Sequence, residues 1–555
     1  MDLLDKYLQG KSHFSSYDDF CKNFKLSLPK DFNFARDVVD FYADHAPDQI
    51  ALVWCNDENE EKILTFGQLA RESLKAAAFL SAQGIKEGDV VVLSLHRRYE
   101  YWIFIIALHR LAALALPLPS QLVKEELVFR LKESKARMII AAPFEDSVEQ
   151  LELAAKKQEI TLVSVAFAKE PWIDYSKAVA AGSPEPVLSA VNTLSALPVD
   201  SASCPMLLYF TSGTRGNPKM VLHNYLYPLS HIITAKYWQC VQDGGLHFSI
   251  AETGWAKASW GKIYGQWLAG SAVFVYDRQN FNPERILEKM AKYKVTSFCA
   301  NPTVYRYLLN VDFSAYDLSS IKHCTSAGEA LSLELAEQFY KKTGLKIYQG
   351  YGQSETALLA AEFCFENQEG QEEKDQLSMG KASPLYDLQL EKATGEIVIN
   401  LKSAYPPGLL MGYYKDKKLT EEVFCDSLYH TGDLAWQAND GSLYFIGRKD
   451  DMIKSSGFRI SPYEVENVLI RHPAVFECAV TGEKDEIRGQ IVTALVRLAP
   501  GYEASKNMER ELISYMHKNI ARYKSPRKIE FVKELPKTYN GKILRARLKE
   551  EKREE

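Results

Sequence analysis

Residues 211–219, reading TSGTRGNPK, follow the apolar run Met206, Leu207, Leu208, Tyr209 and Phe210 and carry the chain's most chemically suggestive spacing. Gly213 and Gly216 admit positive φ and close backbone approach, so successive amides there can converge on anionic oxygens. Thr211, Ser212 and Thr214 add hydroxyl donors, and Lys219 adds a point charge at the far end. This is what a phosphate cradle requires. It is not a Walker loop, because Pro218-Lys219 is followed by Met220 where Ser or Thr would be needed. Taken alone, the segment reads equally well as a polar turn after a strand.

The elements around it have an α/β pattern. Residues 90–95 read as a strand, 99–113 as a helix and 114–116 as a short strand stopped by Pro117 and Pro119, with further strands at 137–141 and 161–165. Residues 182–203, rich in Ser, Pro and Ala, read as a surface linker. A second α/β series has strands at 271–276, 297–300 and 346–348. After about Glu366 the pattern turns β-rich, with strands at 388–390, 396–399 and 442–446. Residues 448–451 read as a charged connection to a small α/β domain. That domain's first helix is signalled by Ser461 as N-cap, Pro462 at the first position and Glu464 at the third.

At 555 residues the chain needs more than one domain, and its 46% hydrophobic and 25% charged residues are ordinary globular values. A net charge of -5 gives no electrostatic reason to expect a nucleic acid partner. Nine scattered cysteines without metal-ligand spacing suit reduced thiols in a cytoplasm, and the N-terminus lacks a signal pattern. The strongest apolar run, 101–119, contains His109 and Arg110, so it reads as a buried helix and strand rather than a membrane span.

Further segments follow in fixed order: YGQSET at 351–356, YHTGD at 429–433, GRKDD at 447–451, KSSGFR at 454–459 and PKTYNGK at 536–542. Together with TSGTRGNPK they resemble the signature set of the adenylate-forming superfamily of acyl-CoA synthetases, luciferases and peptide-synthetase adenylation domains. The resemblance runs from about residue 35 to 550. Residues 252–255 (ETGW) and 523–531 (YKSPRKIEF) look most like medium-chain acyl-CoA synthetases. It implies a large N-terminal domain (1–449) of two α/β layered subdomains plus a β-rich subdomain, and a small, mobile α+β C-terminal domain (450–555) hinged at Asp450. It also implies two steps: a carboxylate attacks the α-phosphate of ATP to give acyl-adenylate and pyrophosphate, and coenzyme A then displaces AMP.

By the same resemblance, residues 211–219 hold the β- and γ-phosphates and Glu355 ligates Mg²⁺, a hard cation suited to carboxylate and phosphate oxygens. Asp433 accepts from both ribose hydroxyls, with Arg448 in support. Adenine packs between Gly328-Glu329-Ala330 and the Gly350-Tyr351 strand, with Gln349 at its exocyclic amine and Gly352, Gln353 and Ser354 alongside. Lys542 bridges the substrate carboxylate and the α-phosphate in the first step. In the second, Ser456, Gly457 and Phe458 reach the pantetheine channel, Arg459 contacts phosphate or the acyl-adenylate, and Arg488, Ser525, Pro526 and Arg527 touch coenzyme A.

Gly352 stands where acetyl-CoA synthetases have tryptophan, which implies open space and an acid longer or more branched than acetate, aromatic acids included. Trp255 reads either as pocket wall or as core. Arg215 replaces the usual Thr or Ser, and either touches phosphate or faces solvent. Two alternatives stay open: a ligase loading a carrier protein, and a catalytically silent nucleotide-binding protein. A homodimer is compatible with the sequence, which does not specify oligomeric state.

Overall fold

Apolar strands alternating with helices build two large sheets. The computed structural model describes residues 3–156, 158–181, 200–211, 218–329, 331–365 and 378–536. The strands that reach the site are, in chain order, Pro205–Thr211 (β1), Lys219–Asn224 (β2), His323–Ala327 (β3), Ile347–Gly352 (β4), Leu358–Ala361 (β5), Gly412–Tyr413 (β6), Leu428–Gln437 (β7), Leu443–Arg448 (β8), Ile453–Ser455 (β9) and Phe458–Ile460 (β10).

One sheet has eight strands, with β6, β2 and β1 at one side of a parallel series formed by Leu114–Pro117, Val90–Ser94, Met138–Ala141, Thr161–Ser164 and Ile173–Asp174. Its central strands are buried along their length, as expected where helices cover both faces. The other sheet has nine strands and is parallel through β3 and β4, with β5 antiparallel between β4 and the edge strand Lys381–Ala382. A third, antiparallel sheet contains β7 and β8.

The apolar run is the fully buried helix Glu100–Arg110 followed by a strand. It tolerates Arg110 because Asp40 receives the guanidinium fork at 2.7 and 2.6 Å. Among the described residues no helix is long and apolar enough to cross a membrane.

The C-terminal part holds the β9–β10 hairpin, a three-stranded sheet and two helices, Pro462–Leu469 and Lys506–Asn519, around its own apolar core. Ser461 caps the first helix, its side chain accepting from the Glu464 amide at 3.1 Å. Two expectations change. Gly447 and Arg448 finish β8 rather than opening a solvated connection, since Arg448 pairs directly across from Asp433. Most of the proposed linker, 182–199, lies outside the described residues, and its end is fastened where Ser201 donates to the Pro29 carbonyl at 2.6 Å.

Candidate active site

Strand alternation divides β4 into two working faces. Gln349 and Tyr351 point one way, Gly350 and Gly352 the other. On the first face Tyr351 donates to Asp433 Oδ2 at 2.5 Å, and Gln353 Nε2 donates to the same oxygen at 2.6 Å. From β8, Arg448 Nη1 donates to Asp433 Oδ1 at 3.1 Å. Tyr429 completes the ring by donating to Gln353 Oε1 at 3.0 Å. Asp433 is 5% exposed, and these donors and the guanidinium replace the water its carboxylate oxygens lose on burial. Burial, and then the Asp433 charge, holds the Tyr351 hydroxyl well above its usual range, which keeps it a donor.

At the phosphate end, β1 and β2 pair antiparallel with Thr211 opposite Lys219, so the chain leaves and re-enters the cradle segment at one point. Ser212, Gly213, Thr214, Arg215 and Gly216 lie outside the described residues. Lys219 Nζ sits 5.2 Å from the centre of the Tyr413 ring, and Tyr413 donates to Glu355 Oε1 at 2.9 Å. Sequence reasoning named Lys219 and Glu355 but missed Tyr413, which joins them. It arrives through the pairing of β6 with β2, and no local pattern announces that pairing. Ser354 is held by His223, whose Nε2 donates to its carbonyl at 2.7 Å.

Gly328 turns at φ +96°, where a glycine is favoured, and Glu329 accepts from Asn301 and Thr303 at 3.0 Å each. Ala330 lies outside the described residues. Gln349 differs from expectation. Its carbonyl oxygen takes the Leu331 amide at 3.3 Å and its amide donates to the Ser378 carbonyl at 3.0 Å, so both ends of the side chain serve the protein.

The other face of β4 corrects the pocket expectation. A Cβ on Gly352 would lie 2.4 Å from Trp260 Cη2, and one on Gly350 2.6 Å from the Trp238 ring. The space opposite Gly352 is therefore filled by the Trp260 indole, which packs at 85° against Trp238 with ring centres 6.3 Å apart. Trp260 stands five residues after Trp255 and was not singled out from the sequence. Trp255 itself is half-buried at the start of the same segment.

In the C-terminal part, Ser456 and Gly457, with φ of 50° and 83°, make the two-residue turn that joins β9 to β10. Phe458 is half exposed and stacks on Tyr523 at 4.3 Å, while Arg488 Nη1 donates to Ser456 Oγ at 3.2 Å. Arg459 is exposed on β10. Ser525 and Pro526 are buried beside exposed Arg527, whose amide bonds to Val492 in the C-terminal sheet. Asp450 follows directly on Lys449, which is tied back by a backbone bond to Gly432 and by its ammonium to Glu396 at 2.7 Å. Lys542 lies outside the described residues.

The site thus presents one buried carboxylate ring, a group in which Tyr413 joins Lys219 to Glu355, and an exposed hairpin. The AMP-binding enzyme family matches residues 39–414, and the AMP-binding enzyme C-terminal domain matches residues 464–542. The chain is 35% identical to the mitochondrial acyl-coenzyme A synthetase ACSM3 of Homo sapiens over 97% of its own length and 92% of that protein's. It is 36% identical to ACSM4 of the same species over 94% and 91%. Among solved structures, an anthranilate CoA ligase in complex with anthranoyl-AMP superposes with a TM-score of 0.82 at 25% identity, covering 95% of this chain and 98% of that one. A Brucella canis acyl-CoA synthetase superposes at 0.70 and 28% identity, covering 98% and 99%. Matched along nearly its whole length by full-length synthetases, the chain belongs to the AMP-binding enzyme family, on its AMP-forming acyl-CoA synthetase branch.

Proposed function

We propose that this synthetase activates a medium-chain, branched or aromatic carboxylic acid, with the roles divided as the site is divided. The observation that carries the reading is the Asp433 ring close enough to Glu355 for its charge to act on Arg448, with Tyr413 joining Glu355 to Lys219. The carboxylate nucleophile needs no general base. Its difficulty is approaching a polyanion, so the site must focus positive charge at the point of attack.

Asp433 takes the ribose hydroxyls, with Arg448 holding its charge in place. Lys219 and the segment it closes take the β- and γ-phosphates. Glu355, a hard oxygen donor steadied by Tyr413, fits a magnesium ion, which when bound neutralises the triphosphate and the leaving pyrophosphate. Lys542 draws the acid's carboxylate onto the α-phosphate. The large unit ends at residue 449, where Lys449 is still anchored, and the chain pivots at Asp450 between steps. Ser456, Gly457, Phe458, Arg459, Arg488, Ser525, Pro526 and Arg527 then serve coenzyme A and the thioester step.

The acid's far end meets the Trp260 indole, which sets chain length where Gly352 gives way. The nine cysteines carry free thiols, which supports a reducing compartment, and we place the enzyme in the cytoplasm. A panel of acids assayed for pyrophosphate release, with and without coenzyme A, tests the reading. Medium-chain, branched or aromatic acids should exceed acetate in kcat/KM, and thioester should form only with coenzyme A present. Acetate as the best substrate would overturn the pocket assignment.

A further inference from the structure

Behind the wall of β4 that faces Trp238, three residues from distant parts of the chain bring soft ligand atoms together. Cys240 follows the π-helical turn Ile233–Trp238, His323 opens β3, and Cys364 leaves β5. A sulfur from each cysteine and a ring nitrogen of the histidine all lie within 4.8 Å of one another. Cys364 Sγ is 3.9 Å from His323 Nε2. The Trp238 carbonyl oxygen is 2.7 Å from that same nitrogen and 3.8 Å from Cys240 Sγ. His323 is buried and its ring is fixed by stacking on Tyr348, with centres 4.4 Å apart. None of these groups has a part in the adenylation or thioester chemistry.

We propose that Cys240, His323 and Cys364, with the Trp238 carbonyl oxygen at the fourth corner, form a structural zinc site. Two thiolates and an imidazole select a borderline-soft cation such as Zn²⁺ over the hard Mg²⁺ of the nucleotide end. Tetrahedral Zn–S and Zn–N bonds place ligand atoms about 3.5–3.8 Å apart, so the described arrangement closes on a metal by moving about 1 Å. Loading releases two protons, one from each thiol, and the two thiolates formed balance the cation's charge. His323 switches tautomer, Nε2 giving up the proton it donates to the Trp238 carbonyl while Nδ1 takes one up, so that Nε2 can bind zinc with no further net release, and the freed oxygen turns to the same metal.

The site has a structural consequence for the pocket. It ties the segment carrying Trp238 to β3 and to the exit of β5, and the Trp238 ring is the group pressed against Gly350 and Trp260. Zinc would thus hold the acyl wall from behind.

The test uses the full-length protein purified without chelator and analysed for metal. Roughly one equivalent of zinc per chain is expected, lost in Cys240→Ser, Cys364→Ser and His323→Ala. Titration of metal-free protein with Cd²⁺ should raise thiolate-to-metal ultraviolet absorbance in the wild type and not in the variants. Should a variant fail to fold, thiol labelling of the wild type decides. Zn²⁺ should slow modification of Cys240 and Cys364 about tenfold or more and leave the other cysteines unchanged. Metal uptake that survives all three substitutions, labelling indifferent to Zn²⁺, or a Cys240–Cys364 disulfide in protein that takes up no metal would each overturn the proposal.

Discussion

The ring around Asp433 and the hairpin at 456–459 are built on opposite terms. Asp433 is buried and has its donors in place, drawn from β4, the residue just past its end, and β8. The hairpin side chains are exposed, and their described partners, Tyr523 and Arg488, belong to the same small unit. A ligand that keeps one pose through both half-reactions can be met by groups locked in advance, which spares reorganisation at the moment of reaction. A group needed in only one half-reaction has to ride on an element that can withdraw.

The sharpest way to break that comparison is at the two charges it sets apart. Lys542→Ala should lower adenylate formation by on the order of 10³-fold while leaving thioester formation from supplied acyl-adenylate nearly unchanged. Equal loss in both half-reactions would mean that the small unit does not exchange roles. Asp433→Asn should lower adenylation kcat/KM for ATP by about 10²-fold. Asp433→Ala should also destabilise the fold by about 3 kcal/mol, because it strands the Arg448 guanidinium in a mostly buried place. Denaturant titration measures the second effect, and an unchanged midpoint would show that the ring is not locked in advance.

Smaller effects probe the joint and the pocket. Asp450→Pro fixes φ just after the anchored Lys449, and should slow thioester formation about tenfold with adenylation largely spared. Rapid-quench measurement of the two steps separates them. Trp260→Leu should move the preferred acid up by about two carbons, each added methylene contributing about 0.8 kcal/mol. An unchanged chain-length profile would remove Trp260 from the pocket.

Much of this was legible in the sequence because it depends on local pattern. The parallel strands and the Ser461 cap follow from short-range periodicity and spacing, and the residues of both carboxylate motifs follow from their resemblance to a known family's signature set. What escaped depends on register between strands far apart in sequence. Tyr413 reaches Glu355 only because β6 lies beside β2, and the Asp433–Arg448 pair is fixed by where β7 and β8 meet. Gly352 showed the opposite limit. Its missing side chain was readable, but the space it leaves is filled by Trp260, ninety-two residues earlier in the chain, and only packing reveals that. Glu396 likewise took no part in the motif reading, although its buried carboxylate gathers the Gly432 amide at 2.9 Å and the Lys449 ammonium at 2.7 Å next to Asp433.

The last effect is absent at neutral pH and grows with acid. His96, His109, His223, His231 and His247 all lie in the layered N-terminal part, and burial depresses each of them, to about 4, 3, 4, 3 and 3. A base whose folded pKa is depressed contributes stability that is complete above its unfolded pKa of about 6.5 and is lost as pH falls toward the folded value. Glu252 has the opposite sign. Burial raises it to about 7, so its contribution is greatest below about 4.5 and fades as pH rises through 7. Five depressed groups outweigh one raised group, so between about pH 6 and 4 the large unit should lose stability first. The small unit's apolar core, around Val465, Val480 and Leu512, is flanked by one buried histidine, His472, which has the Glu511 carboxylate 3.4 Å from its Nε2, and should persist. Hydrogen exchange followed by segment across that range checks this, with protection lost in β1, β2 and β4 before the strands Val475–Asp485 and Gly489–Leu498. Simultaneous loss would show that the two units unfold as one. The comparison would then hold for the chemistry of the site but not for the stability of the parts that carry it.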